Sequence, residues 1–185
     1  MEERSLSKKE RFQVLLSQLG MTGDDVVQYF NNAEIEKLSV YRKEKKWHFH
    51  FALDQIIPCK VMNQFSNALR SSFKHIAQVG FSVKVLNTEA TEQHILDYWT
   101  ECIKEVQGIS PPLLKILNTQ KPKIQGNKIV VQASNDTEAT QLKKKYSDII
   151  CSAFEQFGFP RLMLDAEVGQ AEAQNSDYEK FLEEK

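Results

Sequence analysis

The pattern that most constrains this chain is a structural phrase that occurs twice. Two adjacent strand-like segments, a polar cap, a long amphipathic helix, a glycine beside an aromatic residue and a closing strand run from Glu34 to Leu86, and again from Lys121 to Val168. A repeat at a spacing of roughly 80 residues describes small stacked modules rather than one pocket-bearing enzyme domain. The predicted fold class is therefore α+β, with two tandem small αββαβ-type modules, each a small sheet packed by helices. The boundaries this implies are 1–88 for the first module, 89–168 for the second, and 169–185 for an acidic tail or linker.

Composition narrows the function classes. Of 185 residues, 41% are hydrophobic and 10% aromatic, enough for modest cores and too many for a disordered chain. The net charge of −1 is spread unevenly: residues 1–87 hold 13 Lys/Arg against 9 Asp/Glu (+4), residues 88–168 hold 9 against 11 (−2), and residues 169–185 hold 2 against 5 (−3). No single basic glove covers the chain, as a dedicated nucleic-acid-binding protein would show. Cys59, Cys102 and Cys151 are odd in number, scattered and flanked by apolar helical residues, which predicts buried reduced thiols and a cytoplasmic setting. Met1 to Lys9 is charged, and no apolar run approaches 18 residues, so neither secretion nor a membrane span is expected.

Local signals place the elements. Ser7-Lys8-Lys9-Glu10 reads as a capping box, ahead of Phe12, Leu15, Leu16 and Leu19 at helical spacing and a stop at Gly20. Thr22 is expected to cap a short second helix. Trp47, Phe49, Phe51 and Leu53 alternate with His48, His50 and Ala52, which predicts a hairpin with one aromatic face. Pro58 opens a helix carrying Val61, Phe65, Leu69, Ser72, Phe73 and Ile76 up to Gly80, and the closing strand is expected over 81–86. In the second module, a helix bearing Ile95, Trp99, Cys102, Ile103 and Val106 stops at Gly108, and Ser110-Pro111-Pro112 starts a short one. Strands follow over 121–125 and 128–133, joined at Gly126-Asn127. Asn135 to Glu138 caps a helix ended by Gly158 and Pro160, and Leu162, Leu164 and Ala166 alternate as the last strand.

Three sets of side chains qualify as candidate sites. His48 and His50 share one strand face and supply half a metal site, with Cys59 or His75 as further ligands, but spacing sets no third partner; solvent-facing histidines are the better reading. Gly20-Met21-Thr22-Gly23 matches the G-x-x-G loop of nucleic-acid clamps, although a helix stop followed by a helix cap explains it fully. The strongest basic set is Lys121, Lys123 and Lys128 on the second hairpin with Lys143, Lys144 and Lys145 on the following helix. These ammonium groups are placed to track phosphates, against the plainer reading of a solvated face. There is no phosphate loop, dinucleotide fingerprint or nucleophile elbow, so no catalytic, cofactor-binding or metal-ligating residue is assigned.

Specific words carry a family resemblance: Lys46-Trp-His-Phe-His-Phe51, Phe73-Lys-His-Ile-Ala77, Asp97-Tyr-Trp99, Gln107-Gly-Ile-Ser-Pro-Pro112, Gln120-Lys-Pro-Lys-Ile-Gln-Gly-Asn-Lys-Ile129, Asp136-Thr-Glu-Ala139, Gln156-Phe-Gly-Phe-Pro160 and Leu164-Asp-Ala-Glu167. In these words and their order the chain resembles the N-terminal region of the PolC-type DNA polymerase III alpha subunits of low-GC Gram-positive bacteria. The resemblance implies two N-terminal domains akin to KH type II or to the C-terminal domain of the clamp-loader tau subunit, with 169–185 leading to the rest of a polymerase. It also implies that polymerase and 3′–5′ exonuclease chemistry, and the Mg²⁺ they use, belong to domains further along. The expected function is a non-catalytic protein-protein tether in the replisome during DNA replication, with clamp-loader tau as first candidate partner. The alternative is a KH-like module contacting template or primer DNA through the lysines named above.

Overall fold

The computed structural model describes residues 5–86 and 89–169, so the acidic tail expected over 169–185 lies outside the described residues except for Gly169. The described residues form two compact units, one made of 5–86 and 89–90 with Glu155–Phe159, the other of Thr91–Phe154 with 160–169. Each carries its own three-stranded sheet packed by helices, as the repeated phrase predicts.

In the first unit, α1 (Lys8–Gln18) begins with the expected box: Ser7 Oγ accepts from the Glu10 N–H at 3.1 Å, and the Ser7 N–H donates to the Glu10 carboxylate at 2.8 Å. Gly20 takes φ +72°, the left-handed turn that stops the helix. The short helix α2 (Asp24–Val27) is capped by Gly23, not by Thr22, and no side chain bonds its first turn. Asp24 and Asp25 provide negative charge there instead, where the helix dipole favours it.

Strands β1 (Glu34–Tyr41) and β2 (Lys46–Leu53) form the antiparallel hairpin, with Leu38 opposite Phe49 and Val40 opposite Trp47. Helix α3 (Cys59–Phe73) then crosses over, and β3 (Gln78–Val85) pairs with β2 in parallel, giving the order β1-β2-β3. The crossover helix permits the parallel pairing. The aromatic face of β2 is the heart of this core: the Phe51 ring lies 5.4 Å from Phe12, 5.5 Å from Phe49 and 5.3 Å from Phe65. Phe12, Phe30, Phe51, Phe65 and Phe81 are each at most 2% exposed. Each such ring contributes roughly 1.5–3 kcal/mol by leaving water.

The helix and strand meet elsewhere than the spacing implies. Helix α3 ends at Phe73, Ile76 is 59% exposed, and Gly80 lies inside β3 instead of stopping a helix. Parallel pairing explains the shift. Lys46 aligns with Gln78 and Leu53 with Val85, so all eight β2 positions find backbone partners, which outweighs glycine's weak strand preference.

In the second unit, α4 (Glu92–Glu105) starts at Thr91, whose hydroxyl accepts from the His94 N–H at 3.2 Å. Helix α5 (Pro111–Thr119) follows with proline in its first turn. Strand β4 is short, Lys123–Gln125, because Pro122 has no N–H to offer a ladder. Gly126, at φ +61°, then turns the chain into β5 (Lys128–Ala133).

Where β4 has not begun, the Gln120 side chain acts as a strand surrogate. It donates to the Gln132 carbonyl at 2.9 Å and accepts from the Gln132 N–H at 2.7 Å. The helix expected after Asn135 is built in three parts: α6 (Asp136–Gln141), a π-helical turn (Leu142–Tyr146) and α7 (Ser147–Gln156). Strand β6 (Met163–Val168) closes the sheet parallel to β5, repeating the first unit's connectivity. The core gathers Trp99, Leu117, Ile129, Leu142, Ile150 and Phe154, with the Trp99 indole N–H donating to the Leu117 carbonyl at 3.0 Å.

Candidate functional site

The six lysines read from the sequence are arranged unequally. Lys128, at the start of β5, places Nζ 3.1 Å from Asp165 on β6, and Lys143, in the π-helical turn, places its Nζ 4.0 Å from the same carboxylate. Asp165 is held below the ordinary carboxylate value, first by the hydrogen bond from Lys128, then by the Ala166 N–H at 2.9 Å and the positive charge of both lysines. The acid thus brings two candidates together and cancels part of their field. Alternation puts Lys123 and Lys128 on one strand face, since Lys123 is opposite Val130 and Gln125 opposite Lys128.

Lys121 and Lys123 are exposed; Lys121 lines a shallow cleft of about 260 Å³ with Trp99, Asp97 and Pro122. Lys144 and Lys145 are exposed in the π-helical turn, where Lys145 Nζ lies 5.2 Å from the ring centre of Tyr146. Asp165 was legible as a strand residue, but its meeting with the lysines depends on strand register, which one sequence does not set.

The histidine pair has a different environment from the solvated one expected. The two imidazoles lie 4.7 Å apart on the sheet face opposite the aromatic core, and both are half-buried. Ser82 Oγ bridges them, 3.1 Å from His48 Nε2 and 3.2 Å from His50 Nδ1, and Ser39 Oγ lies 3.3 Å from His50 Nε2. The His48 imidazole is held below its usual 6.5 by burial, then by the charges of His50 and Lys46. Among the described residues no group of three His, Cys, Asp or Glu is placed to hold a metal ion. None of the three cysteines is in a disulfide; Cys102 and Cys151 are buried and Cys59 half-buried.

A third surface lies on the edge strand β1. Leu38 is 40% exposed and Val40 48%, both on the face they share with half-buried Trp47, whose ring lies 5.4 Å from Phe73. The Gly20–Gly23 loop has no such setting, since it joins two helices with no strand before it. Among the described residues no helix is long and apolar enough to cross a membrane.

Comparison with known proteins places these surfaces in context. The family described as DNA polymerase III polC-type N-terminus I matches residues 11–83, and that described as DNA polymerase III polC-type N-terminus II matches residues 97–185. The chain is 44% identical over its full length to the PolC-type DNA polymerase III of Bacillus subtilis, 32% to that of Halalkalibacterium halodurans and 28% to that of Listeria monocytogenes. It spans 13% of the length of each of these relatives.

Proposed function

Because the chain belongs to the family of PolC-type DNA polymerase III N-terminal regions, we propose that it is a non-catalytic adaptor that tethers a replicative polymerase to another replisome protein during DNA replication. The first candidate partner is the clamp-loader tau subunit. One observation carries the reading: the edge strand β1 presents Leu38 and Val40 to solvent beside Trp47 and Phe73. Edge strands and exposed apolar patches are surfaces that proteins use to recruit other chains. Modules with small closed cores and open outer faces suit attachment better than bond-making chemistry.

The test is capture of purified clamp-loader tau by the immobilised chain, with and without Leu38→Glu and Val40→Glu. Capture by the native sequence and at least about tenfold weaker capture by the double variant is the expected outcome. No capture by the native chain, or equal capture by both, removes the tether.

A second reading is supported by the run Lys143 to Lys145, displayed in a π-helical turn, a feature frequent at functional sites. In that reading a KH-like second unit holds template or primer DNA with Lys121, Lys123, Lys144 and Lys145, while Asp165 diminishes the share of Lys128 and Lys143. Salt-dependent DNA binding abolished by reversing the charge of those four lysines distinguishes it from the tether.

A further inference from the structure

The first unit holds a second concentration of positive charge that none of the lysines read from the sequence belongs to. A cleft of about 670 Å³ is lined, among the described residues, by Lys46, Arg70, Lys74, Ala77, Gln78, Val79 and Gly80: three cations and no acid. Next to it, a depression of about 280 Å³ is lined by Tyr41, Glu44, Lys46, His48 and His50, so Lys46 belongs to both. Tyr41 is 48% exposed, and register puts it on the same face as Lys46, directly across from it. Cations therefore adjoin a shelf of one phenol ring and two imidazoles on an open sheet.

Part of this arrangement has a structural explanation. Arg70 lies in the last turn of α3, where a cation offsets the helix dipole. That role does not require Lys46, which comes from β2, nor the ring shelf beside it. Gly80 contributes space: a Cβ there would come within 3.2 Å of His48 Nδ1, so the residue between cleft and shelf is the one type that leaves the imidazole unobstructed.

We propose that this surface is a single-stranded nucleic-acid site, with backbone phosphate seated in the Lys46–Arg70–Lys74 cleft and a base stacked on the shelf of Tyr41, His48 and His50. Charge complementarity selects a polyanion, and the adjacent rings select one that carries flat unpaired bases. Duplex DNA keeps its bases stacked on each other and presents no free ring to the shelf. The cation cleft lies at one end of β2 and β3, so the strand enters there and runs across the face toward Ser82.

Fluorescence anisotropy with a labelled oligothymidylate about 15 nucleotides long tests this on the whole chain, at about 50 and about 200 mM salt. Binding weakens steeply with salt in the native sequence. The K46E/R70E/K74E variant binds at least about tenfold more weakly with a flatter salt dependence, and the neutral K46Q/R70Q/K74Q variant falls between. Tyr41→Ala weakens binding at least about fivefold while leaving the salt slope unchanged, which a purely electrostatic surface does not do. The proposal is overturned if the native chain shows no binding at low salt, or if both cleft variants, with circular dichroism unchanged, bind as it does. It is equally overturned if a polyglutamate peptide of similar charge competes as well as the oligonucleotide.

Discussion

At Gly158 two independent constraints fall on one position. Its φ of +92° is a conformation other residues adopt at a cost of about 1–2 kcal/mol, and a Cβ there would overlap Val85 Cγ2. Overpacking adds about 1–3 kcal/mol, so Gly158→Ala should destabilise the chain by about 3 kcal/mol in urea unfolding with an unchanged slope. Asp165 is the opposite case, partly exposed and screened. Its folded-state value lies below the usual 3.8, so its contribution is complete above 3.8 and fades as pH falls through that lower value. Asp165→Asn is expected to cost less than about 1 kcal/mol at neutral pH, with the difference from the native chain vanishing on acidification. A stability difference that grows in acid would contradict this sign.

At the scale of elements, β2 and the Gln120 side chain show how sheets of three strands hold together. Phe51 packs against rings from α1, α3 and β3, so Phe51→Ala should lower stability by about 3–5 kcal/mol, read by thermal or denaturant unfolding. Gln120 supplies two hydrogen bonds that a strand backbone would otherwise make. Gln120→Ala should cost about 1–3 kcal/mol and speed hydrogen exchange at the Gln132 amide, whereas uniform acceleration across the unit would deny the surrogate role. The capping box of α1 and the hairpin over Glu34 to Leu53 were legible because their determinants are a few residues apart. The end of α3 was not: its apolar spacing runs on through Ile76, and only alignment of β3 along the whole of β2 ends the helix at Phe73.

Across the whole molecule, the two units share connectivity but expose different chemistry. The first unit has an apolar edge strand on one sheet face, a histidine-and-tyrosine shelf on the other and a cation cleft at one end of the sheet; the second has lysines partly neutralised by Asp165. The repeated phrase, the α+β class, the positions of most helices and strands and the family words all reside in short-range patterns, and the sequence by itself determined them. Tertiary structure alone decided which strands pair in parallel, that Asp165 meets Lys128 and Lys143, and that Lys46 shares a cleft with Arg70 and Lys74, 24 and 28 residues further along the chain. The physical reason is range: caps, turns and periodicity act over a few residues, whereas register and surface charge clusters arise only when distant segments share a sheet or a cleft.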